Sequence, residues 1–434
     1  MRSKSGTHAI GGGLLDPARW LLSASMQQTA AESATAIPAN LAPGFTRPFA
    51  SGELSVECLD WEQAARRIGD WRRLVDSSVE RNVFLEPAFA LSAAQHFPAA
   101  ERPLFLFITA GGWQNEQASL VGVFAFQKPN RTTSSHVRLW CAPQMALGGP
   151  LVSNEQAFPV LDLVQDWFAA EFTFVRGILV PAIPANGPLA ILLRDHARAR
   201  ALLTQKFDSR SRAFLVKDAG VAERIKEWIG SKRSKEFRRL MRRLSERGDL
   251  QHVALKSGAE LRQGAEDFMA LEASGWKGQR GTALLCDPSL ATFMRTMARR
   301  FAASDQFEID GLTMNGKPIA MSIVLKSGPD AYFWKTAYDE NFAQYSPGVL
   351  LALKFTARML ENPQIASMNS CALPNHPMID HIWPDRIEMI DLLVSLKGHG
   401  QLPFMATAST ESVRRRMRTF AKSAYYKMIG EIPT

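Results

Sequence analysis

The sequence contains only four cysteines among its 434 residues, namely Cys58, Cys141, Cys286 and Cys371. They lie far apart, and no CxxC pair is present. A disulfide framework and a cysteine-ligated zinc site are therefore not expected. Reduced thiols of this kind are typical of a cytoplasmic protein.

The sequence also lacks any apolar run that approaches the ~20 residues needed to cross a bilayer. Near the N-terminus, Asp16 and Arg19 interrupt the one apolar stretch that could resemble a secretory signal. We therefore expect a cytoplasmic protein, with peripheral attachment at the inner face of the membrane as a further option.

Acidic residues are too few to balance the charge. There are 51 Lys and Arg against 42 Asp and Glu, which gives a formal net charge of +9. This excess suggests an anionic partner, such as a phosphate-bearing cofactor, nucleic acid or an acidic membrane surface. The alternative is that the protein is basic without a specific anionic ligand.

The chain is too long for one ordinary hydrophobic core, and its pattern predicts four segments. Residues 1–48, rich in Ser, Ala, Gly, Thr and Pro, read as a disordered tail. Residues 49–215 and 216–404 each carry helices, then a hairpin-rich sheet, then a helix and a further strand. Residues 405–434 contain a basic terminal helix. Two α+β domains built on one plan are expected.

A helix is predicted to begin at Ser346-Pro347-Gly348, directly after an aromatic strand over residues 331–339. Ser346 suits the N-cap and Pro347 suits the first helical position. The amides and the dipole at such a helix start favour an anion, and Gly348 would leave room for it. The alternative is an ordinary capped helix that binds nothing.

The second half resembles the GNAT-type acyltransferase domain of the FemAB-like and cellulose-biosynthesis-type acetyltransferase families. The resemblance is carried by "LEASGWKGQRGTALL" (271–285), "GLTMNGKPIAMSIVL" (311–325), "YFWKTAYDENFAQYSPGVLL" (332–351) and "KRSKEFRRLMRRLSERG" (232–248). A weaker echo lies in "NVFLEPAF" (82–89) and the hairpin that follows. The resemblance implies tandem GNAT-like domains, each a mixed, mostly antiparallel sheet flanked by helices.

The resemblance also implies a function. A GNAT-type enzyme would move an acyl group, acetyl above all, from acyl-CoA to an amine or hydroxyl acceptor, without a metal. Its partners would be this small-molecule donor and an amine or glycan acceptor, with a role in exopolysaccharide or envelope-glycan production. The donor-binding segment would be Ser346, Pro347, Gly348, Val349 and Leu350.

Within this resemblance, the strand before the helix supplies candidate catalytic groups. Tyr338 or Tyr345 could protonate the leaving thiolate, and Asp339 could orient the nucleophile. Strict strand alternation would place Tyr332, Trp334, Thr336 and Tyr338 on one face. The alternative for each aromatic residue is a place in the core.

The loop at 275–285 carries Gly275, Gly278 and Gly281 around three side chains suited to a substrate. Closely spaced glycines permit backbone approach to a ligand, and Lys and Arg can meet phosphate or carboxylate. We assign the substrate-binding role to Trp276, Lys277, Gly278 and Arg280, with Lys335 on the aromatic strand. A plain flexible loop is the alternative.

The segment at 369–386 concentrates reactive side chains. His376 and Asp380, four residues apart, could share one turn, and His376 or His381 is the candidate general base. A metal site is disfavoured because the cluster lacks a thiolate pair or His-x-x-x-His spacing. A nucleophilic pair of Cys371 with a histidine is a further alternative.

Two basic helices complete the pattern. Residues 231–248 contain eight Lys or Arg and two Glu, and an apolar stripe along one side of this predicted helix leaves the basic residues on its outer face. Residues 414–427 form a second basic patch. Solvated surface helices are the default. The functional options are a phosphate-rich donor, an acidic glycan or an anionic membrane surface. RNA is least supported, because no aromatic platforms are interleaved with the charges.

Two rivals to an acyl-CoA enzyme stay open. One is a Fem-type aminoacyltransferase that uses aminoacyl-tRNA, ranked lower because no long coiled-coil insertion is visible. The other is a non-catalytic GNAT-fold module that binds a membrane or a synthase partner through its basic helices.

Overall fold

The computed structural model describes residues 49–51, 53–111 and 118–428. The predicted tail at 1–48 and the end of the predicted terminal segment, 429–434, lie outside the described residues.

The described strands form one continuous sheet. They are β1 Phe49–Ser51, β2 Leu54–Leu59, β3 Leu104–Ala110, β4 Ser119–Gln127, β5 Val137–Leu139, β6 Leu151–Val152, β7 Gly177–Pro184, β8 Thr204–Val216, β9 Leu250–Leu255, β10 Phe307–Met314, β11 Lys317–Ser327, β12 Asp330–Tyr338, β13 Ser367–Asn369 and β14 Asp385–Ser395. Their order across the sheet is β1-β2-β3-β4-β5-β7-β14-β8-β13-β12-β11-β10-β9, and β6 pairs with β4.

Helices cover both faces of this sheet. They are α1 Trp61–Ala65, α2 Ile68–Ser77, α3 Pro87–His96, α4 Ala157–Glu171, α5 Pro188–Ala199, α6 Val221–Ser245, α7 Gly258–Ser274, α8 Trp276–Gln279, α9 Pro288–Ala302, α10 Pro347–Glu361 and α11 Gln401–Met428. A 3₁₀ turn at Glu340–Tyr345 precedes α10.

Local sequence signals explain several of these boundaries. Proline occupies the first turn of α3, α5, α9 and α10, where its missing N–H costs nothing. Asn315 and Gly316 have φ of 51° and 76° in the tight turn between β10 and β11. Asn-Gly is the pair that most readily adopts two successive positive φ values in a hairpin.

Most neighbouring strands are antiparallel, and each half of the chain adds one parallel pair. In the first half β5 pairs with β7, and in the second half β12 pairs with β13. A helix crosses between the two strands of each pair, α4 in the first half and α10 in the second. This shared plan agrees with the expected α+β class and mostly antiparallel sheet.

Strand β14 joins the two halves, because it lies between β7 and β8 and is antiparallel to both. The predicted boundary at 215/216 falls at the end of β8, yet β14 from the predicted second domain completes the sheet of the first. The buried Asp391 of β14 accepts the Ala182 N–H at 2.8 Å and an Arg415 N–H at 2.9 Å. One carboxylate thus holds β7 and α11 to β14.

The hydrophobic core on one face of the sheet spans both halves. Helices α3 and α9 pack against each other there. The Phe89 ring centroid lies 5.3 Å from that of Phe293 and 5.8 Å from that of Trp334, in edge-to-face geometry. On the opposite face the two halves have separate clusters.

The predicted helical region at 221–248 is one helical run with a break. Gly230 has φ 71° and ψ 163°, which turns α6 into two segments. A left-handed value of this kind suits glycine, and no neighbouring atom lies within 4 Å of where its Cβ would be.

A buried ion cluster fastens α10 to the sheet. The Nη2 atom of Arg358 lies 2.5 Å from Oε1 of Glu308 and 2.6 Å from Oδ1 of Asp310, both on β10. Both carboxylates are almost fully buried. Lys326 and His252 approach the same pair at 3.7 Å and 3.5 Å.

Replacing Arg358 with Leu should lower the free energy of unfolding by about 3 kcal/mol, because it removes the closest cation from two buried carboxylates. Arg295→Leu is the matched control, since its pair with Glu266 is exposed and should contribute no more than about 1 kcal/mol. Calorimetric or denaturant unfolding of the two variants tests this. Equal losses of unfolding free energy in the two variants would show that the buried cluster stabilises the protein no more than the exposed pair does.

Candidate active site

The second half contains a gap between two parallel strands. β12 pairs with β13 only from Asp330 to Tyr332, and from Phe333 onward it pairs with β11 alone. Three segments surround the free end of β12: α8 with its loop, the loop at 370–384, and the start of α10. Backbone groups on the free edge of β12 are thereby available to a ligand.

A β-bulge sets which side chains of β12 face each side of this gap. Ile323 pairs with Lys335 and Val324 with Phe333, so Trp334 is the extra residue. Beyond the bulge, Ala337 joins the shared core with Trp334, whereas Thr336 and Tyr338 lie beside α10. The expectation that Trp334, Thr336 and Tyr338 share one face is therefore wrong, because the bulge reverses the alternation.

On the core side of β12, two lysines converge on one carboxylate. Glu272, near the end of α7, has its carboxylate 2.9 Å from Lys277 Nζ and 3.9 Å from Lys335 Nζ. It also accepts the Leu284 N–H at 2.9 Å. Lys277 Nζ lies 3.4 Å from the Thr336 carbonyl, which places the group against the free end of β12.

The charged side chains of Glu272, Lys277 and Lys335 influence one another's pKa values. Burial lowers the pKa of the Lys335 ammonium, Glu272 raises it, and the Lys277 charge lowers it further, for a net decrease. Burial raises the pKa of Glu272, but the nearby Lys335 and Lys277 outweigh burial and bring it below its ordinary value. The cluster carries two cations against one anion, so its net charge favours an anionic or electron-rich ligand.

Glu272 is a residue that sequence reasoning missed. It lies in the quoted "LEASGWK" stretch, in the last turn of a helix, where a negative charge is disfavoured by the helix dipole. An acid in that position therefore needs a cation partner. Lys277, five residues later, was the signal that could have found the pair.

The loop residues predicted to bind substrate are brought together beside β12. The Trp276 N–H donates to Glu340 at 2.7 Å, and its half-exposed ring lies 5.0 Å from the Arg280 guanidinium. A Cβ on Gly278 would lie 1.8 Å from the Ala273 carbonyl oxygen. Gly278 is thus explained by the tight packing of α8 on α7 rather than by ligand approach.

The start of α10 differs from the expected open helix mouth. Ser346 occupies the predicted N-cap position of α10, but it has φ 51° and ψ 52° and its side chain makes no capping hydrogen bond. Pro347 does occupy the first turn. The amides of Val349 and Leu350 donate to the Ser346 carbonyl at 3.0 and 3.1 Å, which closes them within the helix.

Gly348 is buried beneath the loop at 370–384. A Cβ at this position would lie 3.3 Å from Met378 Sδ, 3.6 Å from the Tyr338 ring and 4.0 Å from Thr336 Cγ2. Glycine therefore leaves a narrow space here, and a phosphate could reach it only if the Met378 side chain moves aside. The donor-binding segment stays a prediction.

Two of the predicted catalytic residues lie in structural roles. Asp339 accepts from the N–H and the side-chain amide of Asn341, both at 2.9 Å, and so caps the turn at Glu340–Tyr345. Tyr345 is buried in a cluster with Leu240 and Leu350. Tyr338 is the tyrosine that keeps partial exposure beside Gly348.

The two candidate histidines lie on the loop that covers the gap. The His376 N–H donates to Asp380 Oδ2 at 3.1 Å, and its Nδ1 accepts the Met378 N–H at 3.3 Å. In that arrangement the neutral ring carries its proton on Nε2 and offers a donor. Burial lowers the pKa of His376, Asp380 raises it and Lys277 lowers it, so His376 and Lys277 share one environment. His381 is exposed on a separate turn.

A basic surface flanks the start of α10. The second segment of α6 packs Leu240 and Leu244 against Tyr345 and Leu350. Its outer face exposes Lys232, Arg233, Lys235, Arg238, Arg239, Arg242 and Arg243, and Arg247 follows the helix. These cations lie beside the turn that leads into α10.

The first half forms part of the wall of the site. The Gln144 carbonyl accepts the Trp334 Nε1–H at 2.8 Å, and the Ala146 carbonyl accepts from Arg212 at 2.9 Å. The corresponding helix start in the first half, at α4, borders a cavity of about 390 Å³ that is lined in part by Glu53 and Asp162. The Asp162 carboxylate there is paired with Arg200 and Lys397.

Comparisons with known proteins agree with this architecture. Residues 231–369, from within α6 to the end of β13, match the family described as an acetyltransferase (GNAT) domain. No curated protein matches the chain.

Similar solved structures include FemX, which is 10% identical, with 75% of this chain and 95% of that chain covered at a TM-score of 0.50. A C-terminal domain assigned to a lysylphosphatidylglycerol synthetase of Agrobacterium fabrum is 13% identical, with coverage of 80% and 96% and a TM-score of 0.47. A tandem GNAT protein from the clavulanic acid biosynthesis pathway is 13% identical, with coverage of 80% and 100% and a TM-score of 0.41. At such identities the likeness concerns the fold.

The expected fold class, tandem GNAT-like domains of α+β type, is confirmed. The chain carries a GNAT acetyltransferase domain and is a transferase. The narrower cellulose-biosynthesis-type assignment stays a prediction. Among the described residues, no cluster of three or more His, Cys, Asp or Glu side chains could hold a metal ion. Nor does any described helix have the length and apolar character to cross a membrane.

Replacing Lys277 with Gln should raise the pKa of Lys335, because it removes a neighbouring positive charge while Glu272 stays in place. Reductive ¹³C-methylation followed by an NMR titration would measure this pKa in both proteins. Lys256→Gln, at an exposed site, is the control and should leave the Lys335 titration unchanged. A constant or lower Lys335 pKa in the Lys277 variant contradicts the proposed cluster.

Proposed function

We propose that the second half transfers an acyl group from an acyl thioester, acyl-CoA in the first place and acetyl above all, to an amine or hydroxyl acceptor. The observation that carries this proposal is the gap beyond Tyr332, with α10 starting on one side and the lysine cluster on the other. The match of residues 231–369 to an acetyltransferase domain supports the reaction class.

The two sides of β12 suggest two roles. Thr336, Tyr338 and Gly348 would border the donor, and the basic face of α6 would meet its phosphates. Lys277 and Lys335, held by Glu272, would meet an electron-rich group of the acceptor. The missing side chain at Gly348 and the exposed cations of α6 fit a phosphate-bearing donor that displaces the Met378 side chain.

The reaction needs a nucleophile, a polarised carbonyl and an acid. The acceptor would attack the thioester carbonyl, and a backbone N–H on the free edge of β12 would stabilise the oxyanion. Collapse of the tetrahedral intermediate then breaks the C–S bond, and Tyr338 would donate a proton to the thiolate. The acceptor's proton would go to Lys335 once its ammonium, whose pKa burial lowers, has lost its own proton, because the Nδ1 of His376 already accepts the Met378 N–H.

A second donor deserves a test because of the extent of the basic surface. The cations from residue 232 to residue 247 follow roughly 24 Å of helix and the turn after it, at 1.5 Å per residue. That length exceeds what the few phosphates of CoA need and suits a polynucleotide backbone. Aminoacyl-tRNA is therefore kept as the alternative donor, and a non-catalytic module as the alternative to an enzyme.

The proposed location, biological role and acceptor class rest on the sequence. Four free cysteines are compatible with a cytoplasmic location. The role in exopolysaccharide or envelope-glycan production follows from the family resemblance, and an amine or glycan acceptor is proposed on the same basis.

Acetyl-CoA at millimolar concentration should raise the melting temperature of the protein, since a ligand at ~100 times its Kd adds about 2.7 kcal/mol to stability. Gly348→Asp should abolish this shift, because it adds a negative charge and crowds Met378. Gly400→Asp, in open space, is the matched control and should keep the shift. Thermal unfolding with and without acetyl-CoA measures both.

A wild-type protein that shows no shift would count against acyl-CoA as the donor. Retention of the full shift in Gly348→Asp would place the donor elsewhere in the fold. Gly348→Ala separates the two effects of the aspartate, because it adds the Cβ without the charge.

If aminoacyl-tRNA is the donor, tRNA should be retarded in a gel at low salt, and its affinity should fall steeply as salt rises. The double variant Lys235→Gln, Arg238→Gln should make the salt dependence shallower by about one unit of slope per lost phosphate contact. Lys256→Gln is the control. Failure to retard tRNA at low salt removes this donor, while the acetyl-CoA shift is judged independently.

A further inference from the structure

Helix α11 has two opposite apolar faces, of which the fold uses one. Phe404 and Ala408 are buried against Leu179, Phe207 and Leu393 of the sheet. This face attaches the helix to the first half of the protein.

The other face of α11 carries five exposed large apolar side chains: Leu402, Met405, Val413, Met417 and Phe420. At 3.6 residues per turn these five fall within about 60° of one direction, and Phe404 and Ala408 point away from it. Leu402, Met417 and Phe420 are 83%, 67% and 76% exposed. We call these five residues the outer stripe.

Charge on the last part of this helix has one sign. From residue 412 to residue 428 the sequence contains six cations and no acid: Arg414, Arg415, Arg416, Arg418, Lys422 and Lys427. Arg415 is held inward by Asp391 and Glu411. Arg416 is exposed and lies within about 40° of the direction of the stripe, whereas Arg418 lies on the opposite side of the helix.

The body of the protein packs against the first part of α11. Phe404 and Ala408 are buried there, and the Arg415 guanidinium lies 4.9 Å from the Phe207 ring. Residues 416–421 are exposed throughout, although they remain helical. An exposed helical end with apolar and basic side chains is unfavourable in water unless another surface covers it.

We infer that the outer stripe of α11 docks the protein onto the surface of an anionic lipid bilayer. The stripe would enter the boundary between headgroups and acyl chains, and Arg416, about 40° from the direction of the stripe, would meet lipid phosphates. From Leu402 to Phe420 the stripe extends over about 27 Å, which lies in the plane of the membrane. The inference does not depend on which acyl donor the second half uses.

Two other occupants fit the surface less well. A second copy of this chain would bring its own basic helix against the first, and like charges across an interface are unfavourable. A polynucleotide would satisfy the arginines but leave Leu402, Met417 and Phe420 in water. An anionic membrane is the partner that satisfies both the charge and the apolar side chains.

Co-sedimentation of the full chain with vesicles tests the inference. We expect binding to vesicles of phosphatidylcholine with about one third phosphatidylglycerol, and weak binding to phosphatidylcholine alone. Met417→Ser with Phe420→Ser should reduce binding about tenfold or more, through lost apolar burial. Arg416→Gln should reduce it about fivefold, Arg418→Gln on the opposite side of the helix should change it little, and added salt should weaken binding of the wild type.

Ile191→Ser is the matched control, since it removes an exposed apolar side chain from α5 and should change nothing. Hydrogen exchange with vesicles present should slow in residues 412–428. The acetyl-CoA melting shift should be the same in all variants, so failure here is distinguishable from failure of the transferase proposal.

Three results would overturn the inference. The wild type could fail to bind anionic vesicles, or it could bind them equally well after Met417→Ser with Phe420→Ser. Sedimentation velocity could instead reveal a dimer that the stripe variant converts to a monomer, which would assign the stripe to a second copy of the chain.

Discussion

The buried carboxylate of Asp391 is the contact on which the arrangement of the whole molecule depends. It lies at a register irregularity in β14 and accepts the amide of Ala182, a residue with φ 49° that is neither glycine nor in a regular conformation. Arg415 of α11 binds the other oxygen. Because β14 lies between β7 and β8, this group ties the sheet of the first half, the sheet of the second half and the terminal helix into one unit.

That connection explains what the first half contributes to the site. The segment around Gln144 reaches Trp334 because the two halves share a sheet and one core face. At the corresponding helix start in the first half, the Asp162 carboxylate is paired with Arg200 and Lys397. The two halves therefore differ in the side chains at these helix starts, although the fold is built twice on the same plan.

Sequence patterns predicted the elements well and the contacts between them poorly. The helices with proline in their first turn, the Asn315-Gly316 hairpin and the α+β order follow from local chemistry. The bulge at Trp334, the left-handed Ser346 and the Met378 side chain over Gly348 depend on how distant segments meet. Likewise, the charges of Lys277 and Lys335 predict a role in binding, whereas the contact of both lysines with Glu272 depends on how α7, α8 and β12 meet.

The two basic helices, α6 and α11, are a second case in which the sequence does not predict the contacts that a helix makes. Their sequences look alike, with cations on one face and apolar residues at helical spacing. In the second segment of α6 the apolar residues are buried against Tyr345 and Leu350, so its cations face solvent near the start of α10. In α11 a separate set of apolar residues packs on the sheet, and the outer stripe stays exposed beside Arg416. A charge pattern alone predicts attraction to anions, but the exposed apolar area decides whether the anion is a soluble phosphate or a lipid surface.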